Sequence, residues 1–576
     1  DENALARGST YFDLASLSVS PNHRWCAYAV DDTGDEVYTI RVLDLDTGER
    51  LADVLEDCAD SLAWADDETL FYTRMDASMR PCQAWRHRLG TPPQDDPCVY
   101  EEPDRRFYLG LHRTRSGAFI VMGLDSQVTS EVWLIPTRAP TAAPVLVEAR
   151  REGVEYGVAH RGEHLLVLTN DGAINFRVEL RPIPGAAGPG VDVGARRSLI
   201  PGRADVLIED LDVFADHLVV WERHAGLPRL RVVPLDPLPE RIGDDAAPAP
   251  GEHLIAFPDP TYSLWGAMNC EFETRVFRFG YASLTTPDSI YDYDLVSRER
   301  SLRKRTEVGG GHDPARFASA RIWATAADGE RVPISLVWRR DGEPERARPS
   351  RPRPLVLYAY GAYGDAMDAA FSRPRLSMLE RGAIWAIAHV RGGGELGRRW
   401  YEAGKLRHKH NTFGDYIACA DLLVAEGWTT PEQLAAWGDS AGGLLVGAVV
   451  NARPGLFAAL VAGVPFVDVI NSMLDEDLPL TIVEREEWGD PRQAEDYAWL
   501  RAYSPYENVR AQAYPAMFVI AGWNDPRVGY WEPAKWVARL RERKTDDREI
   551  LLWTNMDAGH AGATGRFEYL RELART

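Results

Sequence analysis

The 576-residue sequence is poor in cysteine: only Cys26, Cys58, Cys82, Cys98, Cys270 and Cys419, with no CxxC pair and no Cys/His spacing of the metal-binding kind. A disulfide scaffold and a structural zinc site are therefore not expected, and neither metal nor organic cofactor is implied. Long hydrophobic runs are also missing; nothing approaches the roughly 18 uncharged apolar residues that a membrane span requires, so no membrane partner is expected. Basic charge is in deficit, 65 Lys and Arg against 87 Asp and Glu, a formal net charge of -22. Binding a phosphate backbone needs a basic surface, which argues against a nucleic-acid partner and is compatible with cationic ligands. The chain opens Asp1-Glu2-Asn3 with neither an initiating Met nor a signal pattern. The expected compartment is the cytoplasm, with a preceding targeting segment left open.

What is present divides into two grammars. From about Leu17 to about Leu302, short alternating strands follow one another between Gly, Asp, Asn and Pro turns, with almost no helical periodicity. A loose repeat recurs from Ser20 to Asp46, Ser61 to Leu89, Leu111 to Ile135, Val158 to Ile183, Leu211 to Leu235 and Trp265 to Leu295. Its period of roughly 44 to 56 residues suits four-stranded propeller blades, of which about six are visible; a pair of β-sandwiches is the alternative. Beyond the charged stretch Arg298 to Arg305, strand-like Ala318 to Arg339 and a Pro/Arg/Glu-rich loop from Gly342 to Pro354, the pattern changes. Strands Leu355 to Tyr360 and Ile384 to Val390 alternate with helical Asp415 to Glu426 and Gly443 to Asn451, which predicts βα units on a largely parallel sheet. The expected division is a β-propeller over residues 1–305 and an α/β-hydrolase domain over 306–576.

Gly438-Asp439-Ser440-Ala441-Gly442 follows the apolar run Leu434 to Trp437 and precedes a helical pattern, the context of a nucleophile elbow. A serine hydroxyl needs a base, and in this fold acid and histidine follow the nucleophile in chain order. His560 is the sole histidine after Ser440. Asp468, Asp525 and Asp557 compete for the acid; Asp525, closing the apolar strand Ala516 to Ala521 one sheet element before His560, is preferred. The Ala441 amide, next to the nucleophile, is one oxyanion donor. The second is expected from Tyr358-Ala-Tyr-Gly-Ala-Tyr-Gly364, where a packed turn is an equal reading.

Those segments, with Arg391-Gly-Gly-Gly-Glu-Leu-Gly397, Asn411-Thr-Phe-Gly-Asp415 and Asp525-Pro-Arg-Val-Gly-Tyr-Trp-Glu-Pro-Ala-Lys-Trp536, occur in an order that resembles the prolyl oligopeptidase family, and within it the branch that cuts after basic residues. The resemblance spans nearly the whole chain. It implies a seven-bladed propeller covering the hydrolase domain, excluding folded proteins and admitting oligopeptides with Arg or Lys. It places the triad on Ser440, Asp525 and His560, the second oxyanion donor on the Tyr360 hydroxyl, and a donor to a substrate backbone carbonyl on Arg527. It matches an acidic pair for the P1 side chain to Glu484 and Glu486; in an extended segment the two would face the same way, with Arg485 turned away. Of a second acidic pair, at P2, only Asp368 is present, because the partner position holds Ala370. Family members also carry a segment ahead of the residues matching Asp1, so a truncated chain or omitted stretches are expected.

The predicted activity is that of a serine endopeptidase working through an acyl-enzyme, with opening of the two domains about the connections near Arg305. Rival readings are a prolyl or acylaminoacyl peptidase, an esterase, or a non-catalytic propeller scaffold.

Overall fold

The computed structural model describes residues 1–185, 196–239, 250–340 and 348–576. Up to Arg305 the described strands are antiparallel and fall into one seven-stranded and four four-stranded sheets. In the seven-stranded sheet the long strand Arg50–Trp64 bends at an irregularity between Cys58 and Leu62, serving as the last strand of one blade and the first of the next. Six four-stranded blades result, and the six sequence repeats coincide with them; the seventh blade implied by the resemblance is not found among the described residues. Middle strands are buried on both faces because neighbouring blades pack against each: His217–His224 is buried at all but its last residue. The outermost strand Arg300–Arg305 is exposed throughout, and its charged residues suit that edge. Aromatic layers seal the contact between the last two blades, with Phe214, Phe277 and Phe279 in one buried cluster.

The C-terminal part is built on a single eight-stranded sheet. Its strands are β1 (Phe317–Thr325), β2 (Arg331–Arg339), β3 (Leu355–Tyr358), β4 (Ile384–Ala388), β5 (Leu434–Asp439), β6 (Ala459–Gly463), β7 (Ala516–Gly522) and β8 (Ile550–Asn555). The spatial order is β1-β2-β4-β3-β5-β6-β7-β8, antiparallel for the first two pairings and parallel thereafter. Helices α1 (His410–Ala425), α2 (Ala441–Ala452), α3 (Val469–Leu474), α4 (Arg485–Trp488) and α5 (Trp531–Arg543) accompany it. Helix α2 is apolar nearly all round and buried from Ala441 to Asn451, as the helix behind a central strand must be. In this arrangement loops leaving the carboxyl ends of β3, β5, β7 and β8 converge, where ligands of open α/β sheets bind. Residues 342–347 of the predicted Gly342–Pro354 loop lie outside the described residues. No helix among the described residues is long and apolar enough to cross a membrane.

Candidate active site

The sharpest feature is at the turn from β5 into α2. Ser440 has φ 54° and ψ -117°, a left-handed conformation that costs a non-glycine residue of order 1–3 kcal/mol. The turn is tolerated because its flanks lack side chains. A Cβ on Gly438 would stand 2.0 Å from the Gly442 carbonyl oxygen, and one on Gly442 would stand 2.6 Å from the Ala359 carbonyl oxygen. Strand, helix and the loop after β3 thereby meet in backbone contact, with the serine at the crossing.

His560, in the loop after β8, holds Asp525 through Nδ1 to Oδ2 at 2.7 Å. Asp525 follows β7, and its other oxygen accepts the amides of Arg527 and Val528, each at 2.9 Å. The carboxylate is thus pinned at both oxygens, and with Nδ1 committed the imidazole keeps Nε2 for proton transfer. Desolvation pushes the Asp439 carboxyl, beside the elbow, up to about 6, and the hydrogen bond from the Trp437 indole opposes this. The two competing aspartates lie elsewhere. Asp468 is buried in an ion pair with Lys535 and accepts from Asn471 at 2.7 Å; Asp557 is exposed in the turn after β8.

The Tyr360 hydroxyl is beside Ser440, and burial raises its pKa, so the phenol stays protonated as a donor. The Ala441 amide is the first of α2, among those a helix leaves without an internal acceptor. The loop carrying Tyr360 is held from below. Lys409 donates to the Gly361 carbonyl at 2.6 Å, and Arg391 forms a buried, forked ion pair with Asp415 of α1, its Nη2 2.6 Å from Oδ1 and its Nε 2.8 Å from Oδ2. The Arg391–Gly397 motif meets the Tyr360 loop directly, where the Gly364 amide donates to the Gly392 carbonyl at 2.9 Å.

The acidic segment departs from expectation. Residues 485–488 are helical rather than extended, so carboxylates two apart diverge. Glu484 points inward: Oε1 accepts the Tyr363 hydroxyl at 2.8 Å and Oε2 the Trp488 indole at 2.9 Å. Glu486 faces the propeller, accepting from Ser126 at 2.9 Å with Arg106 at 3.5 Å. Arg485 does turn away from Glu484, toward Glu476 at 2.6 Å. Tyr363, Lys409 and Glu487 join this group without having been singled out. Tyr363 lay inside a quoted motif, and the helical i, i+3 spacing of Glu484 and Glu487 was the available signal.

Asp368 also needs correction as a substrate-binding acid. Arg223 of the fifth blade reaches across and binds both its oxygens, at 2.6 and 3.3 Å, while also binding Glu209 at 2.7 Å. The carboxylate is occupied by a cation of the chain itself. Arg527 lies across the same domain boundary, forked onto Glu36 at 2.9 and 3.0 Å, and borders a cavity of about 320 Å³ shared with Tyr108, Met75, Met79 and Leu480.

A strained serine elbow, a histidine oriented by a buried carboxylate and an oxyanion-side tyrosine, on an α/β sheet roofed by a propeller, define a serine hydrolase of the oligopeptidase architecture. The chain belongs to the prolyl oligopeptidase family: residues 1–306 match the model "Prolyl oligopeptidase, N-terminal beta-propeller domain" and residues 369–576 the model "Prolyl oligopeptidase family". It is 39% identical to "Protease 2" of Moraxella lacunata, covering all of this chain and 80% of that protein. It is 40% identical to "Dipeptidyl aminopeptidase BI" of Pseudoxanthomonas mexicana, covering all of this chain and 76% of that one. Among solved structures, oligopeptidase B from Trypanosoma brucei with covalently bound antipain, in closed form, superposes with a TM-score of 0.91 at 40% identity, over all of this chain and 80% of that one. The protein is a serine oligopeptidase.

Proposed function

We propose that Ser440, His560 and Asp525 form the catalytic triad of an endopeptidase that cuts oligopeptides after Arg or Lys, with the propeller taken as residues 1–305 and the hydrolase domain as 306–576. His560 takes the Ser440 hydroxyl proton as Oγ bonds to the scissile carbonyl carbon, and the Ala441 amide and Tyr360 hydroxyl bind the resulting oxyanion. The C–N bond breaks as His560 passes that proton to the leaving amine. Water then gives a proton to His560, attacks the ester, and Ser440 departs reprotonated. Glu484, with the Tyr363 hydroxyl beside it, receives the basic P1 side chain; a guanidinium or ammonium replaces solvent on a carboxylate already oriented by two hydrogen bonds. Arg527 is suited to hold a substrate backbone carbonyl once it is shared with Glu36.

The observation that carries the P1 reading is the inward, nearly buried Glu484 carboxylate with no cation among the described residues hydrogen bonded to it. Asp368, occupied by Arg223, favours no preference for a second basic residue. The six unpaired cysteines support a reducing compartment, the cytoplasm. The test compares fluorogenic peptides with Arg or Pro at P1 in the wild type and in Glu484→Gln. A loss of about 100-fold in kcat/KM confined to the Arg peptide is expected, in keeping with the few kcal/mol that a desolvated charge pair carries; a variant as selective as the wild type would remove Glu484 from the P1 pocket.

A further inference from the structure

Glu487 is absent from every motif above, yet it sits directly behind Glu484. The two are i and i+3 about α4, the spacing that brings side chains to one face, whereas Glu486 is turned to the propeller. Glu487 is fully buried. Its Oε1 accepts the Tyr363 amide at 3.3 Å and lies 3.5 Å from Lys409 Nζ. Its Oε2 has no hydrogen-bond partner among the described residues. Lys409 is equally buried, 4.5 Å above the Trp488 ring, whose indole N–H donates to Glu484. One carboxylate and one ammonium thus touch both the loop that carries Tyr360 and the helix beside Glu484. Desolvation cancels much of the attraction within such a pair, so fold stability alone is a weak reason for it.

We propose that Glu487, held by Lys409, is the second carboxylate of the P1 pocket and a positioning residue: it acts through Glu484 and Tyr363 and sets the acidity at which Glu484 accepts a basic side chain. This rests on the reading of Glu484 given above. The groups facing Glu484 are the Tyr363 hydroxyl, the Trp488 indole, Tyr360, Tyr108, Arg527 and Glu487, with Lys409 behind Glu487. Burial pushes Glu484 up to about 7; the hydrogen bonds from Tyr363 and Trp488 and the Arg527 charge oppose this, and the like charge of Glu487 adds to it. A protonated Glu484 cannot pair with a guanidinium. Affinity for a basic P1 side chain therefore falls as pH drops through about 7, and removing the Glu487 charge moves that fall to lower pH.

The test is KM against pH, from about 5 to about 9, for a fluorogenic peptide with Arg at P1 and for its neutral-P1 counterpart. Glu487→Gln is expected to move the acid limb seen with the Arg peptide downward by about half a pH unit or more, with the neutral peptide unmoved; Glu487→Asp, which keeps the charge, returns the limb to its wild-type place. An unmoved limb in Glu487→Gln, or equal movement for both peptides, overturns the proposal. Should Glu487→Gln fail to label with a fluorophosphonate, the double variant Glu487→Gln/Lys409→Met, which leaves no lone buried charge, takes its place under the same expectation and the same refutation. Glu484→Gln separates the two claims. If that variant keeps the Arg preference, the P1 reading itself is wrong; if it loses the preference while Glu487→Gln leaves the limb in place, only the present inference falls.

Discussion

Single side chains support the proposal of Asp525 among three aspartates. Asp525 gives one oxygen to His560 and the other to two backbone amides, whereas Asp468 is spent on Lys535 and Asn471. Asp525→Asn should lower kcat by about 10⁴-fold, the scale seen when a triad imidazole loses its orienting carboxylate. Asp468→Asn should instead lower Tm with kcat within about threefold, since breaking a buried pair acts on stability. Stopped-time peptide assays beside thermal melts distinguish the two, and equal, mild losses of kcat for both would reverse the assignment. Ser440 and His560 were legible in the sequence because one sits in a motif whose flanking residues are dictated by sterics and the other has no competitor downstream. Tyr363 was not, because nothing in a Tyr- and Gly-rich loop says which ring turns toward a carboxylate.

At the level of elements, the elbow and α4 teach opposite lessons. The elbow needs strand, tight turn and helix in immediate succession, and glycines forced by backbone contact leave a trace in sequence. Gly442→Ala would drive a methyl into the Ala359 carbonyl, now 2.6 Å from where that carbon would sit. It should abolish fluorophosphonate labelling or reduce its rate by about 100-fold, since the backbone there cannot yield as a flexible side chain would. Helix α4 spans only Arg485–Trp488, too short for periodicity to separate from an extended run, and its turn points Glu486 to the propeller instead of alongside Glu484. Because Glu486 contacts Ser126 of the propeller, Glu486→Gln should change kcat/KM by the same small factor, about threefold or less, for Arg and neutral P1 peptides, while Glu484→Gln discriminates strongly between them. Steady-state kinetics on the two peptides measures the contrast.

Over the whole molecule, two-layer architecture was legible because the change from period-two strands to βα units falls between Arg305 and Leu355, and blade repeats need no long-range information. Interdomain chemistry was not legible, since it pairs residues hundreds of positions apart: Tyr108 donates to the Pro479 carbonyl at 3.2 Å, Arg105 to that of Glu476 at 2.9 Å, and Thr261 and Ser335 share a hydrogen bond at 2.9 Å. Asp368 is the clearest case, its partner Arg223 lying on another domain. The proposed entry of substrate between the two domains requires such contacts to part. A short cleavable cross-link between cysteines placed at Ser126 and Glu486, in a background lacking the exposed Cys98 and Cys270, should cut peptide turnover at least about tenfold and release it on cleavage. Turnover unaffected by the cross-link would mean that peptides reach Ser440 without opening.

Ser440 is proposed to hydrolyse oligopeptides after basic residues chosen by Glu484. The most direct test is a mass-spectrometric cleavage profile of a mixed peptide library, with Ser440→Ala as the blank. Cuts after Arg and Lys are expected, with little selection for a basic residue at P2, and none in the blank. Cuts after proline or without a P1 preference, or cuts that persist in Ser440→Ala, would contradict the proposal.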